Sequence, residues 1–277
     1  MIVRGRAPQR TAVVVEAVEE VGGDVTFALG DLAVEKGADA VYAAASSGVP
    51  VGILVNNTGV LDASRSWTDL AASDRADIYS VNVLSSLRMI QRFVCGMRER
   101  GRVIQVRSGT GELPVASQPH YAATNGARDS LAEYLAREPK NTGVTSNAVA
   151  AGGILTPANQ PPPLELRRRS GWGEAWEGIE PRLVEALSPN GISRIGRRRS
   201  TRPPVAFLAS SAVRLCHRDH PRGGRRAGTA EPSWCVRPAR IRVTCLTGDV
   251  ECVSLCACHP YGRRWTQADR SAPWGRP

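Results

Sequence analysis

Short apolar runs, each closing on polar or glycine residues and each separated from the next by a stretch of helical periodicity, constrain this chain more than any other feature. They occupy residues 1–6, 25–29, 49–55, 103–106 and 144–149. Between the first two, residues 12–21 carry apolar and acidic side chains at helical spacing, and Gly22-Gly23 stops the helix. Residues 34–47 are alanine-rich and helical. Across residues 69–96, Ile78, Val81, Leu84, Leu87, Ile90 and Phe93 recur every three or four positions, which predicts one long helix. Strands alternating with helices at this interval make βαβ units, so the predicted fold is α/β, a doubly wound parallel sheet. Sheets of this kind take ligands at the carboxyl ends of their strands.

Residues 101–157 hold the densest chemistry. The strand at 103–106 runs out to Ser108, a helix opens near His120 and Tyr121, and the strand at 144–149 ends on Gly152-Gly153. A hydroxyl at a strand end and a phenol on the first turn of the following helix converge on one carbonyl. An ordinary phenol, with a pKa near ~10, is a sluggish acid at neutral pH and needs a cation nearby. One helical turn after Tyr121, where that cation is wanted, stands the neutral Asn125.

Bulk properties remove other classes of function. The 277 residues suffice for one large core or two small ones. The mean hydropathy is −0.23 and no run of about 18 apolar residues exists, so no membrane span is expected. Residues 1–10 lack the apolar core of a secretory signal, so a cytoplasmic address is expected. The net charge of +10 resides in residues 194–277, where 17 arginines face five acids, and the remainder is slightly acidic. Those arginines lack the aromatic interleaving of a single-strand binder, so no nucleic-acid partner is expected. Cys252, Cys256, Cys258 and His259 lack the paired C-x2-C spacing of common zinc sites, so no metal is expected either.

Several of these features coincide, in order and spacing, with the short-chain dehydrogenase/reductase family of classical type, and residues 1–197 resemble its 3-oxoacyl-ACP reductase-like members. Asn56-Asn57-Thr58-Gly59 is similar to the family's NNAG, Asn82 follows Asn57 by 25 residues, and Ser108 precedes Tyr121 by 13. The segment Ala151-Gly152-Gly153-Ile154-Leu155-Thr156 is similar to PG-x-x-x-T, and Asp31 to the aspartate near the adenine. The resemblance implies a Rossmann-like fold and an NADP- or NAD-dependent interconversion of a ketone and a secondary alcohol. A 3-oxoacyl or polyketide-like ketone is the favoured substrate, and sugars or sugar acids come next. It implies catalytic roles for Ser108, Tyr121 and Asn82, with Asn125 in the place of the family's lysine. It implies cofactor contacts from Arg6, Asp31, Asn57, Gly59, Tyr121, Asn125, Gly152, Ile154 and Thr156. Arg4 and Arg6 at the end of the first run suit a 2′-phosphate and favour NADP. Family members pair into dimers and tetramers through helices that residues 69–96 and 121–137 resemble.

The sequence also departs from the family. Met1 already sits in what resembles the second strand, so the first strand and its TGxxxGxG turn have no counterpart. An open sheet, poor stability and weak cofactor binding are expected from this. Residues 198–227 read as a garbled remnant of the family's last helix and strand, and residues 228–277 as a disordered, out-of-frame tail. One codon set for residues 212–227, read one base later, translates as LSDYVTGTTLGVDGG, which resembles the family's closing strand. The reading from another class is a catalytically inactive fragment acting as an interaction partner. Resequencing the coding DNA is expected to reveal the shifted frame across codons 212–227; a sequence lacking it refutes the frameshift.

Overall fold

Branched and apolar side chains fill each predicted run, and such residues settle into extended backbone where helices cover the sheet. The computed structural model describes residues 1–62, 68–97, 101–114, 118–137, 142–155, 171–172, 175–187, 194–211, 240–245 and 248–253. Its parallel strands are β1 (Ile2–Gly5), β2 (Thr26–Leu29), β3 (Ile53–Asn56), β4 (Arg102–Ser108) and β5 (Thr145–Ala151). Between them run α1 (Pro8–Glu19), α2 (Glu35–Ser46), α3 (Ala72–Tyr79), α4 (Ser85–Phe93) and α5 (Pro119–Arg137). Helix α1 starts earlier than its apolar spacing suggests because Pro8, lacking an N–H, is at home in a first turn. It stops where Gly22 takes a φ of 77°.

Strand β1 lies parallel to β2, from Ile2 opposite Thr26 to Gly5 opposite Leu29. Strands β3, β4 and β5 form a second parallel set, in which Asn56 lies opposite Gln105 and Ser108 opposite Ala151. Among the described residues β1 hydrogen-bonds no strand but β2, and β3 none but β4, so the array is divided between β1 and β3. Arg4 spans the division. Its Nε donates to the Gly30 carbonyl at 2.9 Å and its Nη1 to Thr58 Oγ1, past the end of β3, at 3.4 Å.

One apolar core crosses the division beneath the sheet. Ala28 of β2 and Leu32 after it, Ala38 and Val41 on α2, and Met89 and Phe93 on α4 pack with Val103 and Val144 of the other half. The Tyr42 ring meets Phe93 edge-on at 5.1 Å. At the rim, Arg88 and Arg92 of α4 pair with Glu35 at 2.6 and 2.8 Å, and Arg92 also with Asp39 at 2.6 Å. Exposed pairs of this kind contribute well under about 1 kcal/mol each, so the apolar contact between α2 and α4 carries the joint. On the opposite face Ile104 and Val149 pack against Leu208 of α7 (Arg202–Ala209).

The predicted single helix over 69–96 is divided. Between α3 and α4 the chain makes a π-helical turn, Ser80–Leu84, and a 3-10 turn, Val94–Gly96, closes the run. Apolar spacing survives an extra residue in one turn, so periodicity alone does not show it. Helix α6 (Trp176–Leu187) follows. The three consecutive prolines at 161–163, which from sequence mark a loop able to act as a lid, lie outside the described residues. Strands β6 (Ile154–Leu155) and β7 (Gly196–Arg197) form a separate parallel pair. Within residues 228–277, read from sequence as a disordered tail, β8 (Arg240–Cys245) and β9 (Gly248–Val253) form an antiparallel pair, and β9 runs antiparallel to β5. Residues 212–227, for which a frameshift is expected from the sequence, lie outside the described residues.

Helix α2 crosses the end of β2 at backbone contact. A Cβ on Gly37 would stand 2.0 Å from the Asp31 carbonyl oxygen, and one on Gly30 would stand 2.3 Å from the Gly37 carbonyl oxygen. Gly37→Ala is therefore expected to cost about 1–3 kcal/mol in urea unfolding, because backbone rather than a flexible side chain must move. A loss below a few tenths of a kcal/mol would show that α2 slides freely on β2.

Candidate active site

The site forms where β4 hands over to α5. Ser108, the last residue of β4, is half-buried, and its Oγ accepts from the Thr110 N–H at 3.3 Å, which caps the short turn that follows. Tyr121 stands on the first turn of α5, also half-buried. Asn125 joins the two. It is 2% exposed, its Oδ1 accepts from the Ser108 N–H at 2.7 Å, and its Nδ2 donates to the Tyr121 carbonyl at 2.8 Å. A carboxamide accepts at one end and donates at the other, whereas an ammonium only donates, so a lysine here would leave the Ser108 N–H unanswered. Helix α5 lies close against this corner, since a Cβ on Gly111 would stand 2.9 Å from the Asn125 carbonyl carbon.

Asn82 sits in the π-helical turn, 1% exposed. Its Oδ1 accepts from the Val60 N–H at 2.7 Å, and its Nδ2 donates to the Val60 carbonyl at 3.0 Å and to Thr124 Oγ1 at 3.1 Å. Asn82 thus clamps the loop after β3 onto α5. Gly59 lies beside it: a Cβ there would stand 3.6 Å from Asn82 Oδ1 and 3.6 Å from Arg128 Nη1. Arg128, on α5, donates to the Thr58 carbonyl at 3.1 Å and to the Asn56 carbonyl at 2.7 Å. Burial pushes its guanidinium down to about 10, against an opposing pull from Tyr121.

The other predicted residues fall at the rim. At the ends of β1 and β2, Asp31 stands 3.9 Å from both Arg4 and Arg6, and its Oδ1 accepts from the Ala33 N–H at 3.0 Å. The Arg6 side chain is 58% exposed. Asn57 and Gly152 are exposed, Ile154 is half-buried in β6, and Thr156 lies outside the described residues. Hydrogen bonds therefore unite Ser108, Tyr121 and Asn125, while Thr124 links Asn82 to them: its Oγ1 donates to the Tyr121 carbonyl at 2.9 Å. Arg6 and Asp31 form a separate corner.

Arg128 and Thr124 escaped the sequence reading. A signal for Arg128 was present, because Tyr121, Asn125, Arg128, Ala132 and Leu135 recur at helical spacing and the last two are core residues. An arginine inside a buried stripe asks for an explanation. Among the described residues no group of three or more histidine, cysteine, aspartate or glutamate side chains has metal-holding geometry. No described helix is long and apolar enough to cross a membrane.

The sequence profile described as short chain dehydrogenase matches residues 1–165. The chain belongs to that family. The NADPH-dependent aldehyde reductase-like chloroplastic protein of Arabidopsis thaliana is 31% identical over 170 residues, which is 58% of this chain and 55% of the relative. The 3-oxoacyl-(acyl-carrier-protein) reductase of Vibrio cholerae is 30% identical over 162 residues, 58% of this chain and 59% of the relative. The chain thus spans a little over half the length of the curated relatives it matches. L-sorbose reductase from Gluconobacter frateurii, solved with NADPH and L-sorbose, superposes with a TM-score of 0.68 at 26% identity, covering 76% of this chain and 80% of that one.

Behind the site Arg107, its side chain fully buried, pairs with Glu112 and Asp129. Burial outweighs the attraction of Arg107 and raises the Asp129 carboxyl to about 6, with Glu112 and Glu133 adding to the rise. A carboxyl that binds its proton more tightly folded than unfolded contributes stability at low pH and loses it as pH rises through about 6. Urea unfolding at pH ~4.5 and ~7.5 is expected to show wild type losing on the order of 1 kcal/mol relative to Asp129→Asn over that interval. A constant difference between the two proteins would mean that Asp129 is ionised throughout.

Proposed function

We propose that this chain is an NADP(H)-dependent reductase interconverting a ketone and a secondary alcohol. The observation that carries the reading is the Asn125 amide, which ties the Ser108 N–H to the Tyr121 carbonyl and so holds hydroxyl and phenol at one corner. Reduction of a carbonyl leaves negative charge on its oxygen. Ser108 Oγ–H hydrogen-bonds that oxygen, and Tyr121 Oη gives it a proton and keeps the electron pair. Asn82 holds the floor beneath, through Val60 and Thr124.

The residues present fit a nicotinamide dinucleotide at both ends. Arg6 is open to solvent and only loosely engaged by Asp31 at 3.9 Å, which leaves its guanidinium available to a 2′-phosphate. At the other end the half-buried Ser108 and Tyr121 would face the nicotinamide, and Asn125, which spends one Nδ2 hydrogen on the Tyr121 carbonyl, would have the second for a ribose hydroxyl. Asp31, Asn57, Gly59, Gly152, Ile154 and Thr156 would hold the body of the cofactor. When bound, it supplies or accepts the hydride. The first substrates to try are 3-oxoacyl thioesters and polyketide-like ketones, in line with the 30% identical 3-oxoacyl reductase, followed by keto sugars, in line with the sorbose reductase. The chain works as a homo-oligomer paired through α4 and α5, in the cytoplasm.

Consumption of NADPH over a panel of these three carbonyl classes tests the reading. Tyr121→Phe is expected to lower kcat about 10²–10⁴-fold and Ser108→Ala about 10²–10³-fold. Absence of turnover on every class, together with no change in NADPH fluorescence on mixing, would reject the activity.

A further inference from the structure

Strands inside a parallel sheet are normally paired on both edges and covered on both faces. Strands β1 and β3 are paired on one edge each. Toward β2, the Met1 carbonyl accepts from the Thr26 N–H at 2.9 Å and the Gly5 carbonyl from the Gly30 N–H at 3.1 Å. Toward β4, the Gly52 carbonyl accepts from the Arg102 N–H at 2.8 Å. Successive residues of a strand turn their N–H and C=O groups to opposite edges. Ile2 and Arg4 of β1, and Ile53 and Val55 of β3, therefore turn theirs into the division of the sheet, where among the described residues no strand meets them.

The division has room for one strand and no more. Arg4 leaves β1 at its carboxyl end, and its Nη1 stops 3.4 Å from Thr58 Oγ1, just past the carboxyl end of β3. An arginine side chain reaches about 7 Å from its Cα, so the two ends stand at most about 10 Å apart, against about 9.5 Å for two strand spacings. Beneath the division the core is closed, since Ala28, Leu54 and Val103 share one cluster with α2 and α4. Side chains alternate between the faces of a sheet, which puts Phe27, Ile53 and Val55 on the other face. That face is bare here: Phe27 is 52% exposed, Ile53 48% and Val55 43%. Ile104, the register partner of Val55 on β4, is fully buried against Leu208 of α7.

We propose that the division is a docking slot for one extended, apolar segment of another polypeptide, which joins the sheet as a strand parallel to β1 and β3. Backbone chemistry selects this partner. Donors and acceptors alternate along both walls, and only an extended main chain answers two such walls at once. A helix spends its N–H groups internally, and the edge of a second folded sheet reaches one wall only. The segment matches β1 and β3 in length, four residues each. One set of its side chains meets the core under α2 and the other joins Phe27, Ile53 and Val55, so both sets are apolar. Charge sets the direction. Arg4 and Arg6 stand at the carboxyl end of the slot, and Asp31 is 3.9 Å from both, which leaves one positive charge in surplus. A parallel segment brings its own C-terminal end to that corner, where a carboxylate closing it is attracted.

Fluorescence anisotropy with a labelled peptide tests this on the full chain, without any turnover. The probe alternates valine and isoleucine, is led by lysines for solubility and closes on aspartate. Saturable binding and a rise in the Tm of the chain are expected. A central proline in the peptide is expected to weaken binding about tenfold or more, because one wall loses its donor. Asparagine amide in place of the closing aspartate is expected to weaken it about three- to tenfold. Val55→Pro is expected to fold, since the Val55 N–H faces the slot rather than β4, and to bind about tenfold more weakly. No binding at ~1 mM peptide overturns the proposal. Equal binding of the proline peptide, or equal binding by a folded Val55→Pro chain, overturns it too, because a mere apolar patch would behave so. Tighter binding with the aspartate moved to the other end overturns the parallel direction. If Val55→Pro does not fold, hydrogen exchange of the wild-type chain decides: the peptide is expected to protect the N–H groups of Ile2, Arg4, Ile53 and Val55, and unchanged exchange overturns the slot. Protection of these groups that grows with protein concentration alone assigns the slot to a second copy and overturns the separate partner.

Discussion

The Asn125 carboxamide accepts from the end of β4 and donates to the first turn of α5, and the geometry of the site follows from that bridge. Strand ends and helix starts both carry unpaired backbone groups, and a buried one is costly if left unmet. Asn125 meets the Ser108 N–H from a side chain 2% exposed, so the strand end and the helix start cannot drift apart without leaving a buried donor empty. Ser108 and Tyr121 are placed as a consequence. The Asn82 clamp does the same for the loop after β3, holding Val60 by both its N–H and its carbonyl.

Around these bridges the chain uses apolar contact to hold large pieces together and polar contact to place small ones. The core shared by α2, α4, β4 and α5 runs beneath the division between β1 and β3, where among the described residues no strand hydrogen bonds cross. Arg4 is the polar link over that division, and it reaches the same Thr58 whose carbonyl accepts from Arg128. Thr58 and Gly59 thus lie between an arginine from the edge of one half and an arginine from the heart of the other. Both cations are met by carbonyl dipoles; Arg4 also has Asp31 3.9 Å away, while the other carboxylates nearby are engaged with Arg107 or exposed on α2.

Much of the fold was legible because burial repeats with a period. The strand at 103–106 extended to Arg102–Ser108 and that at 144–149 settled at Thr145–Ala151, each shifting by a residue or two where pairing, not composition, ends a strand. The helix over 69–96 was legible as helix but not as two helices about a π-helical turn, since one extra residue leaves the apolar stripe readable while turning Asn82 inward. Ser108, Tyr121 and Asn82 were marked by the resemblance of their spacing to the family's. Thr124 and Arg128 were not, because the meaning of a hydroxyl or a guanidinium depends on which atoms stand within about 3 Å of it, and spacing along one chain does not report that.

Alternation of apolar runs with helical segments was enough to dictate parallel strands, their order along the chain, and a site at the carboxyl ends of β3, β4 and β5, since both periods are local consequences of backbone geometry. Tertiary structure decided what Asn125 does. From the sequence it is a neutral residue where a cation is wanted; in the folded chain it is a two-ended bridge, and a buried cation stands seven residues further along the same helix. The difference is physical: charge and hydrogen-bonding capacity belong to a residue type, but burial, and with it the strength of both, belongs to the place where the chain puts it.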